Sequence, residues 1–439
     1  MKKIKVFETF AGIGAQRKAL DILKQNNILD YEIVATSEWD IWANISYNSI
    51  HHNNKNIAKN LSDEEINSFL SNFTHSNDSK KPMNIETLFK KPRLVRELLY
   101  SSYKNSNNQG SILSIDEKKL LEKIKKFDLL TYSFPCQDLS AAGSIHGFNK
   151  GMKKGSGTRS GLLWEIERIL SKLKKHNRLP KYLLLENVKN MISQKHKDDY
   201  LDWLKFLKKI GYNTQTYVLN ARDYGVPQNR ERVYALSVLS PKNNLFLDTY
   251  TTTKKIIEKN IPKDITKEYN LNFKMSEVLK IDYKIKKYYD EALNSIPNKT
   301  ISRKKMFYDN KKLYSENLNT LNKIPKNNKC YNYNEYFEKN GIFLNICRTI
   351  TTKQDRNPNA GVIDLKKTAL ENIDKSKANY RLLTTREVFS LMGFFEEDFE
   401  KVKNLNLLSK AILYRQAGNS IVVNVLVVIF YMLAKMKEG

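Results

Sequence analysis

Cysteine is scarce in this chain. Cys136, Cys330 and Cys347 make an odd number without paired spacing. That excludes a disulfide framework and a thiolate zinc site, so no metal is expected, and it suits a reducing compartment. The amino terminus, Met1-Lys2-Lys3-Ile4-Lys5, carries charge where a secretory leader needs an apolar stretch. The most apolar run, Ile421 to Ala434, spans 14 residues and contains Asn424. It is too short to cross a bilayer and reads as a buried terminal helix. There is no internal repeat. Acidic residues are also in deficit: 47 against 75 Lys and Arg, a formal charge of +28 over 439 residues. Such an excess favours a polyanionic partner. Lys, Asn and Ile are abundant throughout, as A+T-rich coding would also produce, so the charge alone does not decide the matter.

The 41% hydrophobic and 11% aromatic content is that of a globular chain. Ile4–Phe10 reads as a strand, followed by a glycine turn and a helix from about Ala15 to Lys24; Glu32–Trp39 reads as a second strand. Further strands are expected near Phe127, Tyr182–Val188, Gln215–Leu219 and Arg232–Leu239, with helices near Leu162–Leu173 and Asp199–Ile210. This alternation predicts an α/β fold with a mixed, mostly parallel sheet. Residues from about 51 to 126 are polar and irregular, an insertion with a few helices. Alternation also fails from 241 to about 379 and resumes at Arg381. The expected division is a core over 1–240, a smaller inserted domain over 241–379, and 380–439 completing the core.

Two strand ends carry the chemistry. Ser133-Phe134-Pro135-Cys136-Gln137 places a thiol on a proline turn after a buried strand, and Glu186 ends the apolar run from Tyr182. Open α/β sheets bind ligands at that edge. A buried structural thiol and a structural pairing of Glu186 with Arg230 or Arg232 are the competing explanations. Gly143 to Arg159 is glycine-rich and basic, either a loop that closes over a polyanion or a solvated linker. At the other end, Gly12-Ile13-Gly14 turns the first strand into the first helix, and Glu38 ends the second strand, where a carboxylate can accept ribose hydroxyls. Arg17 stands where the dinucleotide fingerprint needs its third glycine, so a cofactor without pyrophosphate, such as S-adenosylmethionine, fits better.

Six motifs in order resemble the DNA (cytosine-5) methyltransferases: Phe-x-Gly-x-Gly at 10–14, Pro-Cys-Gln at 135–137, Glu-Asn-Val at 186–188, Gln-x-Arg-x-Arg at 228–232, Arg381 to Phe394, and Gly-Asn-Ser at 418–420. The resemblance implies a Rossmann-like core with an inserted target-recognition domain. It implies that Cys136 attacks C6 of a flipped-out cytosine, that Glu186 holds N3, and that Arg232 holds O2 while Arg230 orients the thiol or Glu186. S-adenosylmethionine would then be held by Phe10, Gly12, Gly14, Glu38, Trp39, Pro135, Asn419 and Ser420, with Asp63 the candidate for the adenine amine. Gln137, Ser140, Arg159, Gln228, Thr349, Gln354 and Arg356 would contact double-stranded DNA. The resemblance further implies a monomeric, cytoplasmic enzyme of the bacterial restriction-modification type, with no membrane partner and any cognate restriction endonuclease acting separately. An RNA cytosine-5 methyltransferase and a non-catalytic DNA-binding relative remain the alternatives. The target sequence is not legible.

Overall fold

A computed structural model describes residues 3–136, 138–139, 151–155, 157–239, 264–315, 336–338 and 341–438. The chain divides into two compact units. The first comprises 1–219, 231–262 and 426–439, and the second 220–230 and 263–425. The expected boundaries differ from these in two ways. Residues 380–425 group with the second unit, and a short excursion, 220–230, joins it from between two strands of the first.

The first unit is built on a six-stranded sheet. Its strands are β1 (Ile4–Thr9), β2 (Tyr31–Ser37), β3 (Leu129–Tyr132), β4 (Tyr182–Val188), β5 (Tyr212–Asn220) and β6 (Glu231–Leu239), in the order β2-β1-β3-β4-β6-β5. The pairings β1–β2, β1–β3 and β3–β4 are parallel and β4–β6 is antiparallel, so the sheet is mixed and mostly parallel as expected. The central strands read as unbroken apolar runs because both faces are covered; all of β3 and the first six residues of β4 are buried. Helix α1 (Ala15–Gln25) follows β1, and α2 (Ile41–His52) follows β2. Asp40 caps α2, its Oδ1 accepting from the amides of Trp42 (2.9 Å) and Ala43 (3.1 Å).

The polar stretch after α2 carries α3 (Asp63–Leu70), α4 (Ile85–Phe89) and α5 (Arg93–Asn105), an insertion with helices as the composition suggested. Its end returns to the sheet: Asn108 forms a parallel bridge with Thr36, and the Gln109 amide donates to the Thr36 carbonyl. Helix α6 (Leu163–Lys175) buries Leu163, Ile166, Ile169, Leu170 and Leu173 at helical spacing, and α7 (Lys197–Lys209) buries Tyr200, Trp203 and Leu207. Each such side chain removed from water stabilises by about 1.5–3 kcal/mol before entropy is counted.

The second unit holds a five-stranded sheet: β7 (Lys312–Ser315), β8 (Tyr336–Glu338), β9 (Gly341–Phe343), β10 (Val362–Asp364) and β11 (Tyr380–Arg381), in the order β11-β10-β7-β9-β8. Arg381 and Glu387 are both fully buried and joined by two hydrogen bonds of 2.9 and 2.8 Å. Glu387 also closes a capping box with Thr384 at the start of the helix Thr385–Ser390. Removing one half of such a buried pair typically costs about 3–5 kcal/mol. The carboxyl-terminal stretch Lys410–Lys435 is long and apolar enough to span a membrane by composition, but 83% of its most apolar window is buried within the protein. Burial rather than length settles its reading as a core helix.

Candidate active site

Sheet register explains the acidic end of the site. Glu186 lies opposite Tyr234 and Val188 opposite Arg232, so Glu186 and Arg232 are diagonal neighbours on one face, within reach of a long side chain. The Arg232 Nε stands 3.5 Å from the Glu186 carboxylate, and both side chains are largely buried. Asn187, next in the strand, points the other way and donates to the Phe134 carbonyl (3.0 Å). It thereby ties β4 to the turn that carries the thiol.

That turn is pinned elsewhere too. The Ser160 hydroxyl donates to the Pro135 carbonyl (2.8 Å), the Leu139 amide to the Cys136 carbonyl (3.0 Å), and Asn190 to the Leu139 carbonyl (2.6 Å). Cys136 is left partly exposed, whereas Cys347 is buried. Burial pushes the Cys347 thiol up to about 12, which makes it a structural group. Arg159 is half-buried and donates to the Ser79 carbonyl (3.2 Å). Burial pulls its guanidinium below the usual range, while Asp138, Asp78 and the Cys136 sulfur pull the other way. The expected DNA contacts Gln137 and Ser140, together with Gly143, Gly147 and Lys150 of the basic loop, lie outside the described residues.

The cofactor end is organised around Glu38. Its carboxylate accepts from the amides of Gly12 (2.9 Å), Trp39 (2.8 Å) and Asp40 (2.8 Å). Burial, with Asp40 adding to it, nevertheless raises its pKa to about 7. Phe10 takes a left-handed φ of 53°, rare for a bulky residue and often a mark of function. Gly12 is also left-handed, at +56°, and a Cβ there would meet nothing within 4 Å. Gly14 is different: a Cβ would lie 2.2 Å from the His51 ring, so this glycine serves packing. Arg17 is directed to His52 (2.8 Å) and to the His51 carbonyl (3.2 Å).

Several expected residues sit elsewhere. Asp63 opens α3 on the surface, paired with Arg93 and with Arg96 (3.1 Å); the structure does not bring it to Glu38. The position beside β2 belongs instead to residues 108–110. Asn108 accepts from the Glu38 amide (3.0 Å) and donates to the Glu38 carbonyl (2.9 Å). Sequence reasoning missed Asn108, since a run of Asn and Ser gives no periodic signal.

In the second unit Gln228 is fully buried, its amide donating to the Leu391 carbonyl (2.6 Å) and accepting from the Ile350 amide (2.9 Å). It organises backbone and is not placed to read a base edge. Arg230 is buried too and donates to the carbonyls of Ile350 (3.0 Å), Gly418 (3.1 Å) and Ser420 (2.8 Å). Regular pairing breaks at Arg230, between Gln228–Asn229 and β6. These bonds tie the Arg230 guanidinium to three backbone carbonyls. Gln354 is fully buried against the Ala360 amide (3.3 Å) and is removed from the base-reading set. Thr349 donates its hydroxyl to the Asn229 carbonyl (2.8 Å), whereas Arg356 is exposed with Asp355 3.5 Å away. A Cβ on Gly418 would lie 2.4 Å from the Thr352 amide. That close backbone approach explains the glycine of the Gly-Asn-Ser motif, after which Asn419 is exposed and Ser420 buried.

Residues 95–435 match the family model described as C-5 cytosine-specific DNA methylase. Over 437 residues the chain is 34% identical to the type II methyltransferase M2.ScrFI of Lactococcus lactis subsp. cremoris, covering 98% of this chain and 99% of that one. Over 272 residues it is 43% identical to the orphan methyltransferase M.SssI of Spiroplasma monobiae, an alignment that spans 61% of this chain and 65% of the relative. The Entamoeba histolytica methyltransferase EhMeth superimposes with a TM-score of 0.55 at 18% identity, covering 99% of both chains. The Schizosaccharomyces pombe Dnmt2 methyltransferase gives 0.54 at 17% identity, again over 99% of both. At those identities the likeness concerns the fold.

Proposed function

The chain belongs to the C-5 cytosine-specific DNA methylases and is an enzyme of that class; from this premise we propose that it methylates C5 of a flipped-out cytosine in duplex DNA, with Cys136 as nucleophile and S-adenosylmethionine as donor. One observation carries the assignment of roles: a partly exposed thiol on a turn tied through Asn187 to the strand that presents Glu186 beside Arg232.

C5 of cytosine is a poor nucleophile while the ring is aromatic. The Cys136 sulfur, once deprotonated, bonds to C6 and pushes an electron pair toward C5, while Glu186 delivers a proton to N3. Arg232 holds O2 and keeps Glu186 oriented. Once C5 is methylated its proton leaves to water, the electrons expel the sulfur, and N3 returns its proton to Glu186. Extruding the base costs a few kcal/mol of stacking and pairing, which Arg159 and other cations repay through phosphate contacts.

When bound, S-adenosylmethionine supplies a methyl group activated by the sulfonium charge. The residues present suit such a group: a Cβ on Gly12 would meet no atom within 4 Å, the left-handed Phe10 borders the same turn, and Glu38 supplies a carboxylate beside it for a ribose hydroxyl. Arg17, which stands where the dinucleotide fingerprint needs its third glycine, is turned to His52. Trp39 adjoins Glu38 in the chain.

Labelled methyl transfer, followed by bisulfite sequencing of the host DNA, tests the reading. Protection of cytosines within one recurring sequence is the expected result; transfer to RNA alone would refute it. A second expectation concerns pH. The ionised Glu38 is the stronger acceptor for a ribose hydroxyl, and its pKa lies near 7. Binding of S-adenosylhomocysteine, measured by calorimetry, should tighten about tenfold between pH 6 and pH 8. Glu38→Gln should bind weakly with a flat profile; a flat profile in the unaltered protein contradicts the role.

A further inference from the structure

We propose that the outer face of the helix Ile301–Asp309 is a DNA-contacting surface, formed by Ile301, Lys304, Lys305 and Tyr308. The proposal rests on the duplex-DNA reading above and assigns part of its binding to one element of the second unit. Two faces of this helix are distinct. Arg303, Met306 and Phe307 turn inward: Phe307 stacks on Tyr380 at 5.5 Å and packs against Val362 and Leu382, and Arg303 donates to the Asn298 carbonyl (3.1 Å). Ile301, Lys304, Lys305 and Tyr308 recur at i, i+3, i+4 and i+7, which places them on one stripe, and all four are exposed.

The stripe is unusual in composition as well as position. Ile301 is 91% exposed and Tyr308 61%, and no residue of the helix is fully buried. Helices of this length draw most of their stability from packing, so a bare outer face with two large apolar groups is poorly used by the unit alone. Neither lysine has an ion-pair partner among the described residues. More cations adjoin: the Lys299 amide donates to the Ser376 carbonyl (2.7 Å), and Asn298 bridges Lys377, which brings the segment around Lys375 alongside. Asp309 and Asp374 are the nearby acids in sequence, and Asp374 is turned to the Ser376 amide (2.7 Å). A cationic strip flanked by an aliphatic and an aromatic group matches a sugar–phosphate backbone, with lysines on phosphates and apolar groups on sugars.

The test compares Lys304→Glu/Lys305→Glu and Ile301→Ser/Tyr308→Ser with the unaltered full chain, on a labelled duplex carrying the site that the enzyme methylates. The lysine variant should bind about tenfold or more weakly at physiological salt, and its slope of log affinity against log salt should be shallower by about 2. The apolar variant should lose affinity with its salt slope unchanged. Both should keep turnover at saturating DNA and keep S-adenosylhomocysteine binding. Unchanged affinity and slope in an enzyme that methylates DNA would overturn the helix assignment alone. Variants that change only the oligomeric state would overturn it in favour of a contact between copies. If the unaltered protein methylates no duplex, the parent reading fails instead.

Discussion

Cys136→Ala should lower methyl transfer by about four orders of magnitude or more, because removing a covalent nucleophile removes the pathway and not merely one contact. Duplex affinity should stay within a few-fold. The thiol sits on a turn held by Asn187, Ser160 and Asn190 through backbone carbonyls, none of which involves its sulfur, so alanine leaves the turn intact. Duplexes carrying 5-fluorocytosine supply the complementary result. Fluorine at C5 cannot leave as a cation, so the sulfur–C6 bond persists once methylation has occurred. A band resistant to denaturation is expected with the unaltered protein, and none with Cys136→Ala. Full methylation by the alanine variant would remove the sulfur from the mechanism.

Glu186→Gln should lower turnover at saturating DNA and donor by about 10²–10⁴-fold, the span associated with a positioned acid–base group. Glutamine keeps the shape and hydrogen-bonding reach of the side chain but holds no transferable proton for N3. Since Arg232 Nε lies 3.5 Å from that carboxylate on the same sheet face, the two should behave as a unit. Glu186→Gln with Arg232→Ala should therefore lose far less than the product of the single losses. Strictly multiplicative losses would separate Arg232 from Glu186 and confine it to the base.

The sheet and its thiol were legible because parallel strands covered on both faces read as unbroken apolar runs. Tyr182–Val188 is such a run, and its one carboxylate stood out for that reason. Asn108 was illegible for the opposite cause: the segment beside β2 is fixed by side-chain amide bonds to Glu38 and Asn44, which leave no hydrophobic period. Gln228 and Gln354 were assigned to DNA contact by the resemblance. Burial of an amide depends on partners far along the chain, such as Leu391 for Gln228, and local sequence does not announce them. The return of 380–425 to the second unit was hidden similarly, since a helical pattern does not say which core it serves.

The excursion 220–230 has a consequence for engineering specificity. Chimaeras between related enzymes are usually cut where one contiguous block ends, here between about 263 and 379. Such a cut would leave Gln228 and Arg230 in the host while replacing Ile350, whose amide and carbonyl they grip. Transplanted blocks should fold better when these eleven residues travel with them.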